Sequence, residues 1–344
     1  MPSAMLHYPL LKINARMAEP LISVAPMMGC TDRHFRYLLR LISPRALLYT
    51  EMVTTGALLN NEPDRFLEHR ADEPAALQLG GNEPMALARC AKLAEAFGYQ
   101  EVNMNVGCPS DRVQEGGIGA CLMATPDLVA DCFQAMNEAT SLPVTIKSRI
   151  GIDDQDSYDD FHAFISTLYD AGCRDFIVHA RKAVLKGLSP KENREIPPLK
   201  YDFVYRVAAG FPDARFTLNG GLKTVEETRD ALSRLPAAML GRAIYDNPWT
   251  LNALDHALFG DPISDRARII EQYRAYLEGE LEKGTRLKHM TRHLLTLFQG
   301  KPGARAYRRY LSTHMYEELA GIEVFDQACA LVQTEDQLMR EPHV

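Results

Sequence analysis

Cys108 sits in the run Asn103-Met104-Asn105-Val106-Gly107-Cys108-Pro109, where a thiol follows two carboxamides placed two residues apart. In an extended segment that spacing puts both amides on one face. A thiol beside them can deliver a proton or attack as a nucleophile. Other chemistry-bearing residues stand near the ends of short apolar runs: Gln78 in AALQLGG, Lys147 and Arg149 in VTIKSRI, and His179 and Arg181 in DFIVHAR. Asn219, Gly220 and Gly221 close RFTLNGG, Gly241 and Arg242 close AAMLGR, and Ala25, Pro26 and Met27 close LISVAPM. Glycines let backbone N–H groups approach an anion, and Arg242 can add a bidentate contact, so LNGG and LGR read as a phosphate cradle. Lys147, on an inward strand position, is costly to bury without an anionic partner. FMN would supply one, because the flavin N1–C2=O edge gains negative charge on reduction. A sugar phosphate, or a Schiff-base substrate of the kind an aldolase binds, are the alternatives. Taken singly, Gln78 or His179 is more often a satisfied core polar group than a ligand contact. Their joint occurrence at equivalent strand ends reverses that reading.

Bringing these residues together takes eight short strands. Strand-like runs at 21–27, 46–52, 75–81, 101–107, 144–150, 175–181, 215–221 and 237–242 alternate with helical patterns at 84–97, 126–139, 158–171 and 224–234. Pro84 marks a first helical position, and Gly98 a C-terminal cap. This α/β alternation predicts a (β/α)8 TIM barrel, in which active-site residues gather at the C-terminal ends of the strands. A doubly wound open sheet is the runner-up, but its dinucleotide fingerprint is missing: the nearest glycine cluster, Gly116-Gly117-Ile118-Gly119, lacks the third glycine of G-x-G-x-x-G.

Beyond about residue 260 the strand signals stop, and 264–283, 285–299, 302–319 and 323–340 read as helices. The expected organisation is an N-terminal extension over 1–16 that need not be ordered, a barrel over 17–258, and a smaller all-helical domain over 259–344. Residues 283–316 hold eight basic residues, among them Arg305 and Arg308, and no acidic one. The rest of the chain carries 30 basic against 45 acidic groups. A solvated helix face explains such a stretch as readily as nucleic-acid contact does, until other residues decide between them.

The whole chain has 344 residues, 46% hydrophobic and 24% charged, with net charge −7, which excludes a disordered or fibrous protein and one that coats nucleic acid by overall charge. The N-terminus lacks the apolar stretch of a signal peptide and no window suits a membrane span, so a cytoplasmic protein without a membrane partner is expected. Seven cysteines without one C-x-x-C pair fit neither a disulfide framework nor a structural metal site, and no metal is expected.

The segment VNMNVGCPSDRVQEGGIGA, residues 102–120, resembles the signature of the tRNA-dihydrouridine synthases. The opening APMMGCTDRHFR, TIKSRIG, IVHAR, LNGG and LGR are similar to the same family, so the resemblance covers nearly the whole chain. Its bacterial A-type branch, which acts on D-loop positions 20 and 20a, is matched through VHARKAVLKGLSPKENREIPPL and KPGARAYRRYL. The resemblance implies reduction of a uridine in folded tRNA, with electrons from NADPH passing through FMN, by a protein expected to be a monomer. Matching motifs imply FMN contacts at Ala25, Pro26, Met27, Gln78, Lys147, His179, Asn219, Gly220, Gly221, Gly241 and Arg242. They imply a proton-donor role for Cys108 and RNA contacts at Asn105, Lys191, Arg194, Arg305 and Arg308.

The chemistry of that reaction agrees with the residues. Saturating a uracil C5–C6 bond needs a hydride at one carbon and a proton at the other, so a flavin and an acid suffice. Unstacking the base requires contacts to the surrounding RNA, which a basic helical domain supplies. Two rivals are a flavin barrel acting on a free pyrimidine, which leaves the basic helices idle, and an RNA-binding protein without chemistry, which leaves Cys108 and Lys147 idle.

Overall fold

The computed structural model describes residues 21–69 and 74–332; the expected N-terminal extension over 1–16 lies outside them. Eight strands form a closed parallel barrel in sequential order. They are β1 (Leu21–Val24), β2 (Leu47–Thr54), β3 (Ala75–Gly80), β4 (Glu101–Val106), β5 (Val144–Arg149), β6 (Asp175–His179), β7 (Arg215–Asn219) and β8 (Ala237–Leu240). β1 pairs with both β2 and β8, so the sheet has no open edge. The expected barrel is therefore the observed one, and the open sheet is excluded. Every residue of β3 and β4 is buried, as strands covered on both faces require. Inside lies an apolar cluster of Ala25, Leu47, Tyr49, Ala76, Ile177 and Met239.

Local signals fix the helices. In Pro84–Ala96, Glu83 caps the backbone N–H of Met85 while Pro84 occupies the first turn. Ser157 with Asp160, and Thr224 with Glu227, form reciprocal capping boxes that start Tyr158–Asp170 and Val225–Leu232. Helices outside the four expected periodic segments complete the alternation: Arg33–Ile42 after β1, Thr55–Leu59 after β2, Tyr201–Gly210 after β6 and Trp249–Phe259 after β8.

By packing, the chain divides into two units. One runs to Arg33 and from Arg45 to Gly241; the other joins His34–Pro44 to the residues from Arg242 onward. This division differs from the one expected at 258/259, because that position marks only where strand signals end. The helix that follows β1 turns its apolar side to the C-terminal helices. Phe35 meets Tyr245 edge-on at 5.1 Å and Tyr37 stacks on Tyr276 at 4.1 Å between ring centroids.

The C-terminal helices are Arg266–Glu282, Leu287–Thr291, Ala304–His314 and Ile322–Ala330. The helix expected over 285–299 breaks after Thr291, because side chains take its carbonyls. Tyr307 Oη donates to the Leu294 carbonyl at 3.1 Å and Trp249 Nε1 to that of Leu297 at 2.7 Å. Tertiary hydrogen bonds here override local helix propensity. Much of the last expected helix, 323–340, falls beyond residue 332 and so outside the described residues.

Candidate active site

Period-two geometry puts Glu101, Asn103 and Asn105 of β4 on the barrel's inner face. The parallel register sets Gln78 beside Asn103, Asn103 beside Thr145, and Asn105 beside Lys147. The resulting polar side chains form one connected chain through the barrel. Tyr49 Oη donates to Glu101 Oε1, and Thr145 Oγ1 donates to the same oxygen at 2.7 Å. Asn103 Nδ2 then donates to Thr145 Oγ1 at 2.8 Å, Gln78 Nε2 to Asn103 Oδ1 at 2.8 Å, and Asn105 Nδ2 to Gln78 Oε1 at 2.9 Å. At the open end, Asn105 Oδ1 accepts the backbone N–H groups of Gly107 and Cys108, each at 3.0 Å. Of these residues the sequence motifs assign a role only to Gln78, Asn105 and Cys108. They miss Glu101, Thr145 and Tyr49, although the odd-numbered spacing of Glu101, Asn103 and Asn105 is a visible signal.

Cys108 is half-buried on the loop after β4. Its carbonyl accepts the Ala120 N–H at 2.9 Å, and a Cβ at Gly119 would lie 2.6 Å from that same carbonyl oxygen. Glycine at 119, with φ of +78°, is what permits the approach. Arg149 braces the loop from the next strand, its Nε donating to the Gly107 carbonyl at 3.0 Å. Its Nη1 donates to the carbonyls of Lys182 and Asn193.

Four cations shape the field at this end of the barrel. Lys147 is largely buried and makes no hydrogen bond or ion pair among the described residues. Burial depresses its pKa to about 8, with Arg149 adding to the effect and Cys108 opposing it. Arg149 itself is lowered to about 10 by burial, with Cys108 opposing and Arg194 and Arg181 adding. His179 is held well below its ordinary value, first by burial and then by Arg149, Lys147, Arg181 and Arg194. It is therefore a neutral imidazole at physiological pH, able to donate from one ring nitrogen and accept at the other.

The strand-seven end has the shape of an anion cradle. Gly220 and Gly221 have φ of +104° and +77°. A Cβ on Gly220 would lie 2.5 Å from His179 Cδ2, and one on Gly221 2.5 Å from Leu199 Cδ1. Tyr201 Oη donates to the Gly220 carbonyl at 2.6 Å, fixing that peptide. Backbone N–H groups of Gly220, Gly221 and Gly241 make no bond to backbone among the described residues. Asn219 Nδ2 donates to the Met239 carbonyl at 2.8 Å and so ties β7 to β8. Beside β1, Ala25 hydrogen-bonds through its N–H to the Leu240 carbonyl, Pro26 follows, and the Met27 N–H donates to Thr31 Oγ1. The Met27 sulfur and Ala25 Cβ lie 3.5 and 3.6 Å from where a Cβ of Gly241 would sit.

Ala25, Pro26, Met27, Gln78, Asn105, Cys108, Lys147, His179, Asn219, Gly220, Gly221 and Gly241 thus all lie at or just inside the C-terminal ends of barrel strands. On the loop after β6, Lys191 is exposed and Arg194 half-buried, and only Arg194 contributes to the field at His179. Arg242, Arg305 and Arg308 belong to the second unit. Arg242 opens the short helix Arg242–Asp246, and Arg305 and Arg308 are exposed, one turn apart, on Ala304–His314. Among the described residues no cluster of three or more His, Cys, Asp or Glu could hold a metal, and no helix is long and apolar enough to cross a membrane.

This barrel end offers a cysteine on an amide-anchored loop, an ammonium without a partner among the described residues, and a glycine cradle, an arrangement suited to holding an anionic ligand beside a thiol. Comparison with known proteins points the same way. The family described as Dihydrouridine synthase (Dus) matches residues 23–332. The chain is 53% identical to a tRNA-dihydrouridine(20/20a) synthase of Shewanella oneidensis over 94% of this chain and 97% of that protein. It is 54% identical to the proteins of the same name from Pseudomonas putida and Escherichia coli K12 over 90% of its length, covering 94% and 91% of theirs. A match running almost from the first barrel strand to the last described helix, with relatives identical at more than half of the aligned positions, makes the chain a member of the dihydrouridine synthase family.

Proposed function

We propose that this protein reduces the C5–C6 double bond of uridine in the D-loop of tRNA, at positions 20 and 20a, with FMN as bound cofactor and NADPH as electron donor. The observation that carries the reading is the polar chain that ends on Cys108 beside Lys147, whose ammonium has no partner among the described residues. A buried cation of that kind calls for an anionic partner, and the flavin's N1–C2=O edge would supply one when it gains negative charge on reduction. The phosphate fits the Gly220–Gly221 and Gly241 N–H groups with Arg242, and the ring system fits Ala25, Pro26, Met27, Gln78, His179 and Asn219. When bound, the flavin supplies a hydride to the uracil ring.

The protein's own residues do the rest. Cys108, held by Asn105 and by the Ala120 N–H, delivers the proton to the carbon that does not receive hydride. Lys147 stabilises negative charge at the reacting end of the barrel. Neutral His179 donates a hydrogen bond without adding a fifth positive charge. Asn105, Lys191 and Arg194 near the barrel mouth, and Arg305 and Arg308 on the helical unit, hold the RNA through phosphate and sugar contacts. We assign catalysis to the eight-stranded barrel and tRNA binding to the helical unit that follows it in sequence, in a cytoplasmic monomer.

The test is direct. Protein loaded with FMN and supplied with NADPH should form dihydrouridine at positions 20 and 20a of unmodified tRNA and leave free uridine unreduced. Absence of dihydrouridine in the tRNA, or equal reduction of the free nucleoside, overturns the assignment.

A further inference from the structure

The polar chain from Glu101 to Cys108 has a direction, fixed at both ends by proton count. Glu101 Oε1 accepts from the hydroxyls of Tyr49 and Thr145 together. A threonine hydroxyl has one proton, so Thr145 Oγ1, having donated to Glu101, can only accept from Asn103. Asn103 must therefore turn its Nδ2 to Thr145 and its Oδ1 to Gln78. Gln78 must answer with Nε2, which leaves its Oε1 for Asn105. Asn105 then presents Oδ1, and not Nδ2, to the loop that carries Cys108. The other end imposes the same sense, since the Gly107 and Cys108 N–H groups need an acceptor. Each carboxamide keeps a second N–H beyond the one used in the chain.

We infer that Glu101 and Thr145 are positioning residues: through the orientation of three carboxamides they fix the loop of Cys108, although neither lies on that loop. Both are buried at 1% exposure, and they sit four and two residues of register below Asn105 and Lys147. A chain in which every amide has one allowed orientation is rigid, whereas a break at Thr145 frees Asn103 to rotate and lets Gln78 follow. The inference rests on the reading of Cys108 as the acid for its consequence in catalysis, but not for its structural content.

Thr145→Val removes the hydroxyl at nearly constant volume, and Thr145→Ser keeps it. Hydrogen–deuterium exchange of the protein as purified, followed in a peptide spanning 104–110, reads the Gly107 and Cys108 amides. Exchange there should rise about 10-fold or more in Thr145→Val, stay at the wild-type rate in Thr145→Ser, and remain unchanged in peptides from β7 and β8. In flavin-loaded protein, single-turnover reoxidation by tRNA should fall about 10- to 100-fold in the valine variant, and by more than flavin reduction by NADPH does. Glu101→Met, which removes the accepting oxygen and leaves Thr145 in place, carries the same measurement should Thr145→Val fail to fold. Exchange within about twofold of wild type in a folded variant overturns the inference, as does equal loss in Thr145→Ser. If the variants differ in exchange as expected and tRNA never reoxidises the wild-type flavin, the proposed reaction fails and the positioning chain stands.

Discussion

Asn105 Oδ1 accepts the backbone N–H of Cys108 at 3.0 Å while Asn105 Nδ2 donates to Gln78, so one side chain ties the loop to the barrel interior. Asn105→Ala leaves two loop N–H groups and the Gln78 oxygen without this partner, at a cost of about 1–3 kcal/mol for each group left unsatisfied. We expect a lower urea midpoint and at least about 10-fold slower turnover with tRNA. An unchanged midpoint together with unchanged turnover would show that the anchor is dispensable.

Gly220 packs closely against His179, and its φ of +104° suits glycine alone. Gly220→Ala puts a methyl group 2.5 Å from His179 Cδ2 and adds backbone strain of about 1–3 kcal/mol. The variant should melt earlier and purify with less FMN than wild type, read from the 450-nm region of its absorbance spectrum relative to protein. A fully loaded alanine variant of native stability would mean the ring and the peptide can separate freely.

Lys147 gives a pH signature with a definite sign. Its pKa falls on folding from 10.5 to about 8, so between those values the unfolded chain holds one more proton at this group, and the contribution of Lys147 to the stability of the flavin-free protein rises with pH. The thiols of Cys90, Cys132, Cys173 and Cys329, all raised by burial, act in the opposite sense and lower stability above about pH 9. FMN affinity should run the other way, falling as pH climbs past about 8 and the ammonium is lost. Lys147→Met should flatten both trends and lower FMN affinity at pH 7. Fluorescence titration of flavin-free protein between pH 7 and 9.5, with urea melts over the same range, separates the two.

The eight strands were legible because parallel barrel strands are short, apolar and bounded by turn residues, and every strand-end polar residue followed from placing them. Arg33–Ile42 was harder to read. It lies inside a stretch that also carries motif residues, and its apolar side packs on Tyr245 and Tyr276, more than 200 residues away in sequence. The break after Thr291 was invisible for a similar reason: Trp249 and Tyr307 claim carbonyls from outside the segment. At the site, no sequence motif assigns Glu101 a role. Only closure of the barrel puts its oxygen within 2.7 Å of Thr145 Oγ1.

Arg305 and Arg308 are exposed and one turn apart on Ala304–His314, with Arg309 exposed next to them. Their double replacement by alanine should weaken tRNA binding and reduce the slope of log K against log salt by roughly one for each phosphate no longer neutralised. Oxidation of NADPH with oxygen as acceptor should continue at the wild-type rate. Filter binding from 50 to 200 mM salt reads the first effect; unaltered affinity and slope would assign this helix face another role.

Cys108 offers the sharpest test of the chemistry, because three roles for it give different outcomes. As general acid it supplies one proton per turnover and makes no covalent bond. As nucleophile it would form a thioether to the uracil ring, and as a structural residue it would only fill space on its loop. Losing a positioned acid slows a reaction by about 100- to 10,000-fold, roughly 3 to 5 kcal/mol of barrier. Cys108→Ala removes the thiol but leaves the backbone N–H that Asn105 accepts and the carbonyl that takes the Ala120 N–H, so the loop keeps its anchors. The variant should bind FMN and tRNA and accept electrons from NADPH as wild type does, yet its reduced flavin should be reoxidised by tRNA at least about 100-fold more slowly. Cys108→Ser separates the chemical roles further, since a hydroxyl can pass a proton in a hydrogen-bonded site but is a far weaker nucleophile. Partial recovery in the serine variant, with no tRNA adduct trapped on wild-type protein under denaturing electrophoresis, supports the acid. A trapped adduct that disappears in both variants assigns the nucleophile instead. Reoxidation of Cys108→Ala within about threefold of wild type would leave the residue a structural role alone.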